Sequence, residues 1–229
     1  MNGAALRQLL SCVAVAICTA GALARAGVPA GDADRLCRGT PSVQGSLSLA
    51  RVTRTSAADL YWDKGFRKYC PSADRSCVAG SIAHGEELLV SDRQAGYACV
   101  FHPDDVGGRG GWMRASDLQT APLPVGTLSP ALWVGEWGDA ETNFSIEAAA
   151  GSFLSITGTL RGPAGQRGSF SGLARPSDGR VVVGRKEKLP YSCIVEMRLL
   201  GRYLVVNDNH ACSGVRVSFS GVYVRRAAI

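Results

Sequence analysis

Short apolar runs separated by polar, glycine-containing turns dominate residues 80–118 of the chain. Leu88 to Val90 form one run, Tyr97 to Phe101 form a second, and Gly111 to Met113 open a third. A turn at His84-Gly85 precedes the first run. Runs of this length with turn residues between them are typical of β-strands in tight sequence. The pattern predicts a three-stranded meander at the centre of a small barrel.

The C-terminal part of the chain repeats this pattern at a spacing of roughly ten residues, which is typical of β-sandwiches and small closed barrels. Leu154, Ile156 and Leu160 fall on one side of their strand, and Val195, Met197 and Leu199 fall on one side of theirs. This alternation predicts an antiparallel sheet with one face in water. The runs are LWVGEW, FSIEAA, FLSITGTL, GSFSGLA, RVVVG, CIVEMRLL, YLVVND and VSFSGVYV.

Two of these runs share the letters S-F-S-G, at residues 168–172 and 217–221. The repeat predicts two equivalent strands in which the phenylalanine packs inward and the glycine permits a bend. Neither copy is a nucleophile elbow, because the serines are misplaced and no helix follows.

Composition supports an all-β globular protein. Hydrophobic residues make up 46% of the chain and charged residues 19%, and 28 glycines separate the apolar runs. The formal net charge is +6. Removal of Arg7 and Arg25 with the N-terminal segment leaves +4, which is too small and too scattered to predict nucleic-acid binding.

Residues 1–26 have the features of a secretory signal peptide. Arg7 supplies the positive start, Leu9 to Ala20 form the apolar region, and Ala24-Arg25-Ala26 is a cleavage site of the A-x-A type. The apolar region is shorter than the ~20 residues that a membrane-spanning helix needs, and no second such segment follows. We therefore expect export to the periplasm or beyond, with no integral membrane segment after signal removal.

The remaining chain divides by composition into four parts. Residues 27–45 are polar and turn-rich and predict an N-terminal arm, and residues 46–118 begin with a predicted strand at 46–53. Residues 119–130 carry three prolines and no charge, which predicts a linker. Residues 131–229 then form the second β-unit. We expect the linker to flex between the two units.

The N-terminal unit resembles a bacterial SH3-like (SH3b) domain. The phrases that carry the resemblance are H-G-E-E-L-L-V, G-Y-A-C-V and the closing G-G-W-M-R-A-S-D-L, and they cover about forty residues. Gly96-Tyr97 stands where that family most often has Gly-Trp. The family's first phrase is replaced by Asp59-Leu60-Tyr61-Trp62 and an insertion that contains cysteines. The resemblance implies a small barrel that recognises a cell-wall peptide or a protein.

The C-terminal unit resembles an uncharacterised β-domain of exported proteins from Gram-negative bacteria. The matching phrases are W-x-G-x-W, at Trp133, Gly135 and Trp137, and the ending N-D-N-x-x-C-S-G-V-R-V-S-F-S-G-V-Y. Some members of that group carry a module likened to lysozyme inhibitors. The resemblance implies an antiparallel barrel or sandwich in the cell envelope.

Six cysteines remain after signal removal, an even number in a chain predicted to be exported, and this favours three disulfides. A zinc site needs close ligand pairs, but Cys70 and Cys77 have six residues between them and no histidine nearer than His84. We expect no metal and no other cofactor. A catalytic thiol is also not expected, because three disulfides would use all six cysteines and leave no free thiol.

Hairpin geometry predicts that Cys193 pairs with Cys212. Gly201-Arg202 is a two-residue turn with glycine first, as type II′ requires, so Leu200 faces Tyr203. Cys193 then falls opposite His210, and one irregularity in the strand would bring Cys212 within bonding reach. Three pairings of the other four cysteines are possible. The favoured one joins Cys70 with Cys77 and Cys37 with Cys99.

Residues 59–76 interleave aromatic side chains with Lys64, Arg67 and Lys68. Such interleaving marks some surfaces for anionic polymers, but it also occurs in loops whose aromatic rings cover a barrel while the basic ends reach water. We favour the covering loop. Any ligand-binding site of this unit is predicted to use Trp62, Tyr97 and Phe101 at the mouth of the barrel. Trp112 is predicted to be a core residue.

Catalytic motifs are scarce, and we expect no enzyme activity. Of the three histidines, His84 lies in a predicted turn, His102 beside Pro103 and His210 near a cysteine, so a Ser-His-Asp constellation would have to be assembled across the two units. Asp104-Asp105 before V-G-G-R-G-G lacks the strand–loop–helix context of a phosphate site. Glu86 and Glu87 point to opposite faces of a strand. Asn207-Asp208-Asn209 lacks a calcium-loop pattern and predicts a self-capped turn.

Three functions remain open from the sequence. The preferred one is an exported, non-catalytic binding protein of the bacterial cell envelope that recognises a cell-wall peptide or an envelope protein. The alternative is a periplasmic inhibitor of a lysozyme-like hydrolase, or an immunity protein against a secreted toxin, in which disulfides stiffen an inserted loop and so lower the ordering cost of binding. The third is a hydrolase without a recognisable site. The oligomeric state is left open.

Overall fold

A computed structural model describes residues 36–104, 107–121, 129–162, 165–184, 192–212 and 218–226. The predicted signal peptide, the first part of the arm, the centre of the predicted linker and Asp105 lie outside the described residues. Leu36 to Ile229 belong to one compact unit. Within the described residues, no helix is long and apolar enough to cross a bilayer.

Two antiparallel sheets build the structure, which confirms the all-β prediction. The first has seven strands in the order β3-β2-β6-β5-β4-β1-β7, and the second has eight in the order β11-β10-β9-β8-β15-β14-β13-β12. The strands of the first sheet are β1 (Ser48–Val52), β2 (Ala58–Tyr61), β3 (Val78–Ile82), β4 (Glu87–Gln94), β5 (Tyr97–His102), β6 (Arg109–Arg114) and β7 (Leu118–Ala121).

The second sheet is nearly closed into a barrel, because its end strands β11 and β12 lie side by side. Short 3-10 turns at Arg75–Cys77, Ala115–Asp117, Pro130–Leu132 and Ala150–Ser152 are the only described helical elements. The strands of this sheet are β8 (Gly135–Gly138), β9 (Thr142–Ala148), β10 (Leu154–Arg161), β11 (Arg167–Ala174), β12 (Arg180–Val183), β13 (Val195–Leu200), β14 (Tyr203–Asp208) and β15 (Gly221–Arg225).

The predicted meander is present as β4, β5 and β6, which pair in sequence. Leu88 and Val90 of β4 are buried in one core with Val100 of β5 and Met113 of β6. Trp112, the neighbour of Met113, is 1% exposed on the other side of β6, as predicted for a core residue.

Aromatic rings pack in the core that the second sheet encloses. Phe170 and Phe219, from the two S-F-S-G phrases, meet edge to face with ring centroids 4.9 Å apart. The phrases are not equivalent strands, however. Residues 168–172 lie inside β11, whereas Ser218 to Ser220 form the approach to β15. The repeat therefore reflects two rings that share one core, and the prediction of matching strands is wrong.

The predicted water-facing side of the second sheet is correct for β10, where buried and more exposed residues alternate, but not for β14. Tyr203, Val205 and the neighbouring Leu200 face the first sheet and are buried against it. Their apolar partners are Leu49, Leu89 and Phe101 of the first sheet and Val43 and Leu47, which precede β1.

Hydrogen bonds reinforce this contact between the sheets. The Val43 amide donates to Asn207 Oδ1 at 2.6 Å, the Arg198 guanidinium donates to Gly45 O at 2.7 Å, and Tyr203 Oη donates to Glu87 O at 3.3 Å. A shared apolar core with hydrogen bonds at its rim holds the two sheets together. The expectation that they flex about the linker is therefore corrected, although residues 122–128 of the linker lie outside the described residues.

All three disulfides join the pairs favoured by the sequence. They are Cys37–Cys99, Cys70–Cys77 and Cys193–Cys212. Leu200 pairs with Tyr203 and Val195 with Asp208, as the hairpin prediction requires. Gly201 has a φ of 59°, suited to the turn, and His210 has a φ of 57°, which is the irregularity that brings Cys212 back to Cys193.

Candidate functional site

The insertion between β2 and β3 carries exposed aromatic and basic residues. Trp62 N donates to Cys77 O at 2.8 Å and closes the base of the insertion, and the Cys70–Cys77 disulfide closes it a second time. Residues 64–69, with the sequence KGFRKY, are all exposed. Buried residues bracket them, Asp63 at 4% and Cys70 at 5% exposure. We call residues 64–69 the basic aromatic loop.

Asp63 holds the basic aromatic loop in one conformation. Its Oδ1 accepts hydrogen bonds from Gly65 N at 2.8 Å and Phe66 N at 3.0 Å, and its carbonyl accepts from Arg67 N at 3.0 Å. Cys70 N then donates to Arg67 O at 2.9 Å. Aspartate favours such turns because its short carboxylate reaches the backbone amides two and three residues ahead. The loop is therefore ordered by its own polar groups.

The N-terminal segment supports the loop from beneath. Arg38 Nε donates to Asp63 Oδ2 at 3.1 Å, and the neighbouring Cys37 is tied to Cys99 of β5. A Cβ atom at Gly65 would overlap the end of the Arg38 side chain and lie 2.7 Å from Leu36 Cδ2. Glycine at this position allows the loop to pack closely on the segment that carries Arg38.

Two aromatic side chains of the loop project into solvent. Phe66 is 64% exposed and Tyr69 is 80% exposed. The Phe66 ring stacks on Trp62 with centroids 4.3 Å apart and an interplanar angle of 18°. Lys68 Nζ lies 5.8 Å from the centroid of the Tyr69 ring. The prediction that the aromatic residues of this insertion cover the barrel is therefore wrong for Phe66 and Tyr69.

Beneath the loop lies a cluster of aromatic rings and two disulfides. Tyr61 and Tyr97 meet edge to face with centroids 5.6 Å apart, and Trp62 is partly buried against the same cluster. Burial raises the pKa of Tyr61, and the Arg114 guanidinium, 5.9 Å from its ring, acts in the opposite direction. This cluster gives the loop a rigid base.

The structure brings two of the three predicted ligand-binding residues together. Trp62 and Tyr97 pack on one cluster, whereas Phe101 belongs to another, the contact between the two sheets. Phe101 is 5% exposed and packs with Leu200 and Tyr203. Phe101 is therefore removed from the candidate site, because its position in β5 turns it toward the second sheet.

Sequence reasoning missed Asp63, Gly65 and Arg38, and it did not choose Phe66 or Tyr69. The signal for the turn is present, since Asp63-Lys64-Gly65 has the aspartate and glycine of a self-capped turn. No sequence signal predicts the stacking of Phe66 on Trp62 or the approach of Arg38, because both depend on how the insertion folds back on the sheet.

The charge of the insertion is predominantly positive. Residues 62–77 contain four basic residues and two acidic ones, and one of the acidic residues is the buried Asp63. The other, Asp74, accepts a hydrogen bond from Ser76 N at 2.7 Å, which lowers the pKa of its carboxyl group, and the charge of Arg67 lowers it further. Basic side chains therefore dominate the exposed part of the loop.

The candidate catalytic groups have separate partners. His84 Nδ1 lies 2.9 Å from Arg54 O, His102 Nε2 lies 3.3 Å from Glu86 Oε2, and His210 Nδ1 lies 3.8 Å from Asp208 Oδ1. Glu87 Oε1 lies 3.6 Å from Arg202 Nε, so the adjacent glutamates have different partners. Among the described residues, no three His, Cys, Asp or Glu side chains form a group suited to a metal ion.

The remaining polar motifs have structural partners. Asp104 Oδ1 accepts from Gly108 N at 2.8 Å inside the β5–β6 hairpin. Asp208 accepts from Ser218 Oγ at 2.6 Å and from Phe219 N at 3.1 Å, which anchors the approach to β15. Asn209 Oδ1 accepts from Ile194 N at 3.0 Å. The side-chain oxygens of Asp208 and Asn209 therefore connect separate segments of the second sheet. The sequence predicted only a self-capped turn at these residues.

A cavity of about 340 Å³ lies where the β5–β6 hairpin meets the second sheet. Pro103 and Asp104 line one side, and Asp139 and Tyr223 line the other. Its walls come from segments far apart in the sequence, so no local pattern could have predicted it.

Comparison with known proteins adds no relative. No protein-family model matches the chain, and neither a curated protein nor a solved structure matches it.

Proposed function

We propose that this chain is an exported, non-catalytic binding protein of the bacterial cell envelope and that the basic aromatic loop is its binding surface. One observation carries the proposal: Phe66 and Tyr69 are exposed on a loop whose conformation is set by the buried Asp63. Exposed aromatic side chains beside basic ones are the residue types that contribute most at binding surfaces. A loop that is already ordered loses little entropy when it binds.

Export is supported by the predicted signal peptide and by the three disulfides, since disulfides persist mainly outside the reducing cytosol. The resemblance of the first unit to SH3-like domains supports recognition of cell-wall peptide. Trp62 and Tyr97 keep a place in the proposed site as the rings on which the loop rests.

The test is retention of the protein, lacking its predicted signal peptide, on purified bacterial sacculi. Phe66→Ala with Tyr69→Ala removes the two exposed rings, and retention is expected to fall at least about thirtyfold, since each ring at a binding surface contributes on the order of 1–2 kcal/mol. Leu173→Ala is the matched control, because Leu173 is 66% exposed on β11 of the other sheet. Equal retention of the loop variant and the control would reject this binding surface.

A periplasmic inhibitor of a lysozyme-like hydrolase, or an immunity protein against a toxin, is the second candidate. The observation that favours it is the Cys70–Cys77 disulfide, which braces a projecting loop of the kind that can enter the cleft of another protein. Immobilised muramidase distinguishes this candidate: retention there but not on sacculi would favour inhibition.

The proposal also expects no hydrolysis. Incubation of the protein with sacculi should release no muropeptides. Release that disappears on substitution of His84, His102 or Asp105 would show that the protein is a hydrolase.

A further inference from the structure

We propose that the cavity between the β5–β6 hairpin and the second sheet binds one residue of an N-acetylated amino sugar. The cavity shares no residue with the basic aromatic loop, so this inference goes beyond the proposed function and adds a second site. Its volume of about 340 Å³ falls at the lower end of the range of small-molecule sites, roughly 300–1,000 Å³. A concave site of this size suits a single compact ligand.

One wall of the cavity is a short open edge of β15. Strand β8 ends at Gly138, which pairs with Val224, so no residue of β8 lies opposite Val222. Arg226 N donates to Glu136 O on the β8 side of the strand. Because the hydrogen-bonding direction repeats every second residue of a strand, the N–H and C=O of Val222 also point to that side. There they meet the cavity, which places one donor and one acceptor in its wall.

Two carboxylates stand on opposite walls of the cavity. Asp104 belongs to the hairpin, and Asp139 follows β8. Asp139 Oδ1 accepts from Glu141 N at 2.9 Å and from Thr142 N at 2.7 Å, and Asp104 Oδ2 lies 3.4 Å from Arg109 Nε. These contacts fix both groups in position. A carboxylate has about four acceptor sites, so Asp139 can also accept from a ligand.

The cavity is richer in acceptors than in donors. Among the described residues, no basic side chain lines it. A ligand that fits must therefore bring several donors and one acceptor. The hydroxyls of an amino sugar can donate to Asp104 and Asp139, and its acetamido carbonyl can accept from Val222 N. The acetamido methyl group can pack on the apolar surfaces of Pro103 and Val224, which line the same space.

The same wall disfavours an added peptide strand. Strand addition uses a series of backbone hydrogen bonds along an edge. Here the edge is open only at Val222, because Val224 pairs with Gly138 and Ser220 N donates to Ser218 Oγ. An organic cation is also disfavoured, because the Arg109 guanidinium and the turn amides already stabilise the two carboxylates.

The experiment is a titration of the protein, lacking its predicted signal peptide, with N-acetylglucosamine, followed by amide NMR. We expect the Val222 amide resonance to shift, the amides of Phe66 and Tyr69 to stay unchanged, and a dissociation constant on the order of 1 mM. Glucose has no acetamido group and should bind about fivefold more weakly, because the Val222 amide loses its acceptor.

Two pairs of variants locate the site. Ala140 lines the cavity and is exposed, so Ala140→Trp should fill the space and weaken binding at least about tenfold. Ala148→Trp, at an exposed alanine of β9, is the control and should bind normally. Asp139→Asn keeps an oxygen for the turn amides but removes the charge, so binding should weaken about threefold. Asp178→Asn has the same net charge and should bind normally. The dispersion of each NMR spectrum verifies that the variant is folded.

The outcomes separate this inference from the proposed function. An unmoved Val222 resonance with N-acetylglucosamine, in a protein that is retained on sacculi, would overturn the cavity site and leave the proposed function. Tighter binding of putrescine would overturn the site in favour of a cation, and tighter binding of N-acetylalanine amide would overturn it in favour of a peptide. Sugar binding at Val222 without retention on sacculi would support the cavity site and contradict the proposed function.

Discussion

The Phe170 ring lies directly over the backbone of Gly158, its cross-strand partner in the β10–β11 pair. A Cβ atom at Gly158 would lie 2.7 Å from Phe170 Cζ and closer still to another carbon of the same ring. Gly158 therefore leaves the space into which the ring packs, and the ring covers the backbone that the glycine exposes. This contact helps to define how β10 and β11 close the second sheet.

Gly158→Ala is expected to destabilise the protein by about 1–3 kcal/mol, because the added methyl group overpacks a filled core. Urea unfolding at equilibrium measures the change. Gly80→Ala is the matched control, since Gly80 lies in β3 with open space where its Cβ would be. The control should be neutral or slightly stabilising. A similar loss of stability in both variants would mean that the ring does not restrict position 158.

Phe101→Ala is expected to lower the free energy of unfolding by about 3–5 kcal/mol, because it opens a cavity in the apolar contact between the sheets. The unmodified protein should unfold in a single transition, since neither sheet can separate without exposing this contact. Tryptophan fluorescence follows both sheets, with Trp112 in the first and Trp137 in the second. Two separate transitions in the unmodified protein would contradict this coupling.

Asp63→Ala is expected to loosen the basic aromatic loop, because the Gly65 amide loses its acceptor, whereas the Phe66 amide keeps the backbone carbonyl of residue 63. Hydrogen exchange at the Gly65 amide should accelerate at least about tenfold, which corresponds to the loss of a hydrogen bond to a charged group, and exchange at the Phe66 amide should accelerate less. Asp63→Asn keeps an oxygen acceptor and should show a smaller effect. Unchanged exchange in Asp63→Ala would show that Asp63 does not order the loop.

Stability is expected to fall at alkaline pH because burial raises the pKa of Tyr223 well above the usual value of 10.0. The Tyr223 hydroxyl donates to Phe219 O at 2.9 Å inside the barrel. A raised pKa in the folded state gives stability that is complete below pH 10 and is lost as pH rises toward the folded pKa. The loss for this side chain is about 1.4 kcal/mol per pH unit.

Urea unfolding from pH 8 to pH 11 measures this dependence. Tyr223→Phe removes the ionisable group and should flatten the loss of stability above pH 10, although burial raises the pKa of Tyr203 and Tyr61 too and leaves part of the slope. An identical pH dependence in the variant and the unmodified protein would show that Tyr223 ionises as readily folded as unfolded.

Local pattern in the sequence was sufficient for the strands and the hairpins. Alternation of apolar and polar residues identified β10 and β13, and the two-residue turn at Gly201-Arg202 set the pairing of Leu200 with Tyr203. These features depend on neighbours in the chain, where side-chain period and turn chemistry act directly. The Cys193–Cys212 disulfide followed from the same register.

Contacts between distant segments were decided only by the tertiary structure. Phe101 and Tyr97 lie in the same strand, yet one packs against the second sheet and the other supports the loop. Their spacing places both side chains on the same face of the strand, but it cannot show that the two ends of this face have different partners. Likewise, Phe66 and Tyr69 are aromatic residues that the sequence predicted to cover the barrel, yet both are exposed. They lie on a turn that the hydrogen bonds of Asp63 hold in place. Whether a side chain is buried depends on the segment that packs against it. For Phe101 that segment is the β13–β14 hairpin, which is distant in the sequence.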